Sequence, residues 1–180
     1  VLIFGRNGWR VMFDRKSYRR VKVPRGQYLR KVSLAKEALE IEKIVYAPLI
    51  KTHHAGEFTG AIKLSMGFVK PFFDQITFHI RNLCQKLAEL GLVVKPDLIV
   101  MDARKVFITG GPAKGELREP NLILASGNQV AIDVEGVKIL QSYRGNSLES
   151  KNAWDLMQIR HAIEMGLGPH NEEEYEVATP

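Results

Sequence analysis

Three short apolar runs, "KIVYAPLI" (43–50), "DLIVMDA" (97–103) and "NLILAS" (121–126), set the limits on what this chain can fold into. Each has the length of a strand, none is long enough to cross a bilayer as a helix, and each runs into a polar, glycine-bearing loop. Helical patterns lie between and after them. From Pro71, "PFFDQITFHIRNLCQKLAELG" carries apolar residues at 72, 73, 76, 80, 83, 84, 87 and 90, which predicts one long helix ending at Gly91. "NQVAIDVEGVKILQSY" predicts a helix over 128–143, with Gly136 where a neighbour packs closely, and Trp154 to Met165 a last one. Strands alternating with helices predict an α/β fold with a largely parallel central sheet and helices on both faces, a three-layer sandwich. Such sheets bind ligands beyond the carboxyl ends of their strands.

The N-terminal part has a different character. "VLIFG" and "RVMF" read as short strands around the turn-like "RNG", and "YRRVKVP" as an edge strand. Ser33 is expected to cap a short helix over "LAKEALEI", and Pro48 to weaken the ladder of the 43–50 strand. Residues 1–36 hold eleven Lys and Arg against the single acid Asp14, whereas residues 37–180 hold fifteen against nineteen acids. The net charge of +6 is therefore N-terminal, and the segment is either a solvated face or a surface for an acidic partner or nucleic acid. Trp9, Tyr18 and Tyr28 are too sparse for a base-stacking platform, which argues against nucleic acid.

The expected organisation is a single α/β domain over 1–168, in which 1–36 form basic N-terminal strands, followed by an acidic, loosely held tail over 169–180. The chain starts at Val1 in what reads as mid-strand, so further residues are expected upstream. No signal-peptide pattern opens it, and the expectation is a soluble cytoplasmic protein without membrane contact. Cys84 is the single cysteine, so this chain alone builds no disulfide and no iron–sulfur cluster; the thiol reads as a small core residue.

Chemistry concentrates in "KTHHAGEFTGAIKLSMGF" (51–68). Imidazole, ammonium and hydroxyl groups on a glycine-punctuated loop offer a base near neutral pH, cations for a carboxylate or phosphate, and N–H donors; the competing reading is an exposed polar loop. "TGGPAKG" (109–115) is either an anion cradle built from Gly110, Gly111 and Lys114 or a plain turn. Asp102, at the end of an apolar strand, is either a site acid or a partner of Arg104 or Lys105. His79 falls on the apolar stripe of its predicted helix, as a core histidine or as a ligand aimed into a cavity. The usual zinc spacings, a nucleophile elbow and a dinucleotide fingerprint are absent from the sequence.

In order, "PLIKTHHAGEFTGAIKLSMGF", "FHIRNL", "KPDLIVMDA", "GGPAKGE" and "LILASGNQVAIDVEG" resemble the family called domain of unknown function 362. The resemblance covers roughly residues 43–140, with Asn128 and Gln129 standing where the family has Asp-Pro. It implies a small-molecule enzyme or cofactor-binding domain for an anionic ligand, and an iron–sulfur protein as partner, since family members are sometimes fused to such modules. The order and spacing of His53, Lys63 and His79 are similar to those of the lactate racemase family. That similarity implies His53 as acid/base, Lys63 as tether of a nickel-pincer nucleotide and His79 as nickel ligand, in a racemase- or isomerase-like proton or hydride transfer. Lys51, Thr59 and Gly60 then position the anionic group, and Asp102 with Gly110, Gly111 and Lys114 closes the other side. The alternative is a non-catalytic accessory domain that binds an acidic protein or nucleic acid through its basic N-terminal segment.

Overall fold

The computed structural model describes residues 3–4, 10–11, 17–71 and 73–179. Strands β1 (Ile3–Phe4) and β2 (Arg10–Val11) pair antiparallel, and the "RNG" turn between them lies outside the described residues. β3 (Tyr18–Lys22) and β4 (Lys31–Ala35) form a hairpin whose Val32 and Leu34 face the core. Ser33 belongs to β4, where it pairs with Arg20, so it caps nothing. The following helix α1 shrinks to Glu37–Glu40, with no side-chain cap.

β5 (Val45–Tyr46) is short because Pro48, lacking an N–H, interrupts the ladder, which resumes as a bridge between Leu49 and Asp102. β6 (Lys51–His53) and β7 (Glu57–Thr59) form a second hairpin. It leads through Gly60 into α2 (Ala61–Leu64) and a 3₁₀ turn over Ser65–Phe68. Then come α3 (Phe73–Ile80) and α4 (Leu83–Leu90), the single long helix of expectation broken in two. Asn82 at the break has φ 55°, a left-handed conformation that Asn tolerates and that ends a right-handed helix. The break sorts the apolar stripe: Leu83, Cys84, Leu87 and Leu90 of α4 are buried, whereas Ile76 and Ile80 of α3 stay largely exposed.

β8 (Leu98–Ala103) is the middle strand of a three-stranded sheet, parallel to β5 on one side and antiparallel to β11 (Leu122–Ser126) on the other. Between them, β9 (Val106–Phe107) pairs with β10 (Leu117–Arg118). The sheets are thus small and mixed, and the expected largely parallel sheet does not form among the described residues. Adjacent strands can be antiparallel here because β8 and β11 are joined by the β9–β10 hairpin and its loops rather than by a crossover helix. α5 (Gln129–Gln141) packs on one sheet face, where Ile99, Met101 and Ala103 are buried. A Cβ at Gly136 would lie 2.9 Å from the Met101 sulfur, so helix and sheet meet there at close range. Residues paired across strands share a face, so Val45, Leu98 and Ile123, all largely exposed, mark an opposite face that no helix covers among the described residues.

A 3₁₀ turn over Ala153–Asp155 precedes α6 (Met157–Glu164), which packs on α4. Cys84 is a small core residue, its thiol pushed up to about 11 chiefly by burial. The acidic tail touches α5. Tyr175 donates to Glu135 of α5 at 2.6 Å, and Lys138 bridges Glu135 and Glu172 at 2.8 and 2.7 Å. Among the described residues no helix is long and apolar enough to cross a membrane.

Candidate functional site

Strand alternation builds the first part of the site. In the β6–β7 hairpin Lys51 pairs with Thr59 and His53 with Glu57, and residues two apart on a strand point the same way. Lys51, His53 and Thr59 therefore share one face. Thr52 points to the other, where it is fully buried and donates to the Phe107 carbonyl at 3.1 Å. α2 follows directly and adds Lys63, half-buried, one helical turn beyond Gly60.

Several of these groups act on the titration of His53 and Lys63. The His53 imidazole is pushed down to about 4, first by burial and then by the charges of Lys63, His54, His79 and Lys51. The Lys63 ammonium is lowered by burial and by Lys51. His79 is exposed: α3 turns it outward rather than onto a core stripe, and the helix buries Phe78 instead. The Thr59 hydroxyl oxygen is buried and has no hydrogen-bond partner.

The hydrogen bonds of the two neighbouring histidines fix their tautomers. The His53 Nδ1 accepts from the backbone N–H groups of Ala55 and Gly56, both at 3.1 Å. A backbone N–H can only donate, so the ring proton of neutral His53 sits on Nε2. The lone pair that an acid/base role of His53 would use is engaged by the turn. His54 stacks beside it, ring centroids 5.1 Å apart and planes 14° from parallel, and its Nδ1 donates to the Gly111 carbonyl at 2.8 Å.

The 108–116 loop closes in through these tethers. Lys51 donates to the Pro112 carbonyl at 2.8 Å, next to the carbonyl that holds His54. Gly111 has φ 70°, and a Cβ there would stand 1.9 Å from the Thr52 carbonyl oxygen, so the close approach of loop to strand admits only glycine. Lys114 is exposed, and its carbonyl accepts from the Gly111 N–H at 2.7 Å. Asp102 has a different employment. It accepts from Arg104 through the backbone N–H, Nε and Nη2, and the guanidinium holds its carboxyl down to about 2.

The support of Lys63 comes from a residue not singled out in the sequence. Asp133 of α5 is fully buried and accepts from the Ala61 and Ile62 N–H groups at 2.6 and 2.9 Å, the free donors at the start of α2. Gly60 is required by that approach, since its Cβ would lie 2.3 Å from an Asp133 oxygen. One helical turn earlier, Gln129 donates to the Ala61 carbonyl and the Ser65 hydroxyl at 3.3 and 3.4 Å. Burial raises the Asp133 carboxyl to about 7, against the pull of the two N–H groups. The signal available in the sequence was a lone carboxylate inside the apolar run "VAIDV".

Among the described residues no group of three or more His, Cys, Asp or Glu is placed to hold a metal ion.

Residues 5–138 match the family described as Domain of unknown function (DUF362). The chain belongs to the DUF362 family. All the residues just described, from Lys51 to Asp133, lie inside the DUF362 match. The thylakoid-associated protein sll1697 of Synechocystis sp. is similar to it, 28% identical over 114 residues that cover 60% of this chain and 35% of that protein. The DUF362 chain therefore spans about a third of that relative's length. No solved structure matches it.

Proposed function

We propose that the chain binds a small anionic ligand at the face shared by Lys51, His53, Thr59 and Lys63, as a small-molecule enzyme or cofactor-binding domain of the proton-transfer kind. The observation that carries this reading is that Lys51, His53 and Thr59 share one hairpin face, with the His53 imidazole held neutral by burial and then by basic neighbours, Lys63 of α2 first among them. Lys51 and Lys63 place two like charges close enough to repel one another, and an anion between them relieves that repulsion. The partnerless Thr59 hydroxyl adds a hydrogen bond for such a ligand, and the neutral His53 offers Nε2–H. A carboxylate or phosphate suits these donors, because each accepts several charge-assisted hydrogen bonds at once.

The test is a calorimetric titration with pyruvate and with inorganic phosphate. Losing one charge-assisted bond costs about 1.5–3 kcal/mol, so Lys63→Ala and Lys51→Ala are each expected to weaken binding roughly ten- to hundredfold. Lys114→Ala, on the exposed loop, serves as the comparison and should change it little. Lysine variants that bind as well as the unaltered protein would sink the reading.

A further inference from the structure

We propose that His53 and His54 form a polarised pair in which His54 takes a proton from the ligand while His53 donates a hydrogen bond to the ligand's carbonyl oxygen. The inference rests on the anion-site reading and deepens it. A backbone carbonyl has only lone pairs to offer, so the His54 Nδ1 that meets the Gly111 oxygen must carry a proton. Nε2 is then the basic nitrogen of neutral His54. His53 has the reverse arrangement, its Nδ1 receiving two backbone N–H groups and its Nε2 protonated. Two near-parallel rings 5.1 Å apart thus present opposite functions, one acceptor and one donor.

That pairing suits a carbonyl compound with an acidic C–H on the adjacent carbon, and the lysines supply the place for a carboxylate. The ligand class is a small keto acid. In the step, the C–H bond breaks and the proton goes to His54 Nε2, giving an imidazolium. The C–H electron pair becomes the carbon–carbon double bond, and the carbonyl pair moves onto oxygen. The enolate oxygen accepts from His53 Nε2–H in a field made positive by Lys63 and Lys51, and returning the proton to carbon restores both partners. No oxidant or co-reactant is needed. Neutral imidazole is the right form of His53 for this work, since a donor that stays uncharged does not add to the cations already present.

The experiment follows hydrogen exchange of α-ketobutyrate in heavy water by proton NMR, alongside ring-nitrogen NMR of the histidines. His54→Asn keeps a side-chain donor for the Gly111 carbonyl but removes the basic nitrogen. It is expected to lower the exchange rate about 10²–10⁴-fold, the usual worth of a general base, while α-ketobutyrate still binds. His53→Gln, which replaces Nε2–H with an amide donor, should retain more of the rate than His53→Ala. The ring spectra should show Nε2–H on His53 and Nδ1–H on His54. The inference is overturned by reversed tautomers, by wild-type exchange no faster than buffer, or by His54→Asn exchanging at the wild-type rate. In each of these cases intact α-ketobutyrate binding leaves the anion-site reading standing; failure of the unaltered protein to bind the probe would remove both.

Discussion

Asp133 and His53 pull the pH dependence of folding in opposite directions. An unfolded aspartate ionises near its ordinary value of about 4, whereas folded Asp133 keeps its proton up to about 7. Between those values the folded chain holds a proton that the unfolded one has lost. The group's contribution is therefore full below about pH 4 and declines as pH rises through about 7. His53 works the other way. An unfolded histidine protonates below about 6.5, folded His53 only near 4, so its contribution is full above about 6.5 and is lost as pH falls through about 4. Comparing thermal unfolding of the unaltered protein and Asp133→Asn from about pH 5 to about pH 8 isolates the aspartate, because His53 is common to both. Asp133→Asn should be less stable at every pH, since an amide nitrogen faces one of the Ala61 and Ile62 donors, and it should lack the decline toward neutral pH. Parallel profiles would contradict the burial of an ionisable carboxyl under α2.

At the scale of elements, α5 shows how one side chain can serve two partners. Asn128 caps α5 by accepting from the Val130 and Ala131 N–H groups at 2.8 and 3.1 Å, as an aspartate there could also do. Its amide also donates to the Leu167 carbonyl at 3.2 Å, which a carboxylate cannot. Asn128→Ala is expected to cost about 1–2 kcal/mol in urea unfolding, and Asn128→Asp to recover only the capping share of it. Equal stability of all three proteins would remove the cap from the account. Much of the element order was legible from local pattern: β8, β11 and α5 lie where apolar runs and periodicity put them. The break at Asn82, the single-faced cover of the sheet and the antiparallel partner of β8 were not, because each depends on what a segment meets after folding. The same division runs through the site. Lys51, His53, Lys63 and His79 stood out by residue type and order, whereas Asp133 and the tautomers of the histidine pair depend on contacts between segments up to 72 residues apart.

Across the whole molecule, one buried carboxylate joins the basic hairpin to the helical side. Glu89 of α4 is fully buried and accepts from the N–H groups of Gln27, Tyr28 and Leu29 at the tip of the β3–β4 hairpin, and from His161 Nε2 of α6 at 3.0 Å. His161 in turn reaches Glu164 at 3.0 Å through Nδ1, and Tyr28 stands edge-on to its ring. Glu89→Ala strands three backbone donors and a buried imidazole, and should cost on the order of 3–5 kcal/mol in chemical unfolding. His161→Gln, which keeps a donor for Glu89, should cost less. A small effect of Glu89→Ala would mean that the hairpin is held elsewhere.

The hairpin of β6 and β7 carries a further lesson, in the language of insertions and deletions. Lys51 and His53 occupy one parity of the strand and Thr52 the other; Thr52 is fully buried, and Lys51 keeps part of its surface in solvent. A slip of a single residue would exchange the two faces, turning the Lys51 ammonium into the core and the Thr52 hydroxyl to where the lysine had been. At this strand the molecule is more exposed to a change of register than to many changes of residue, and its chemistry is kept by counting.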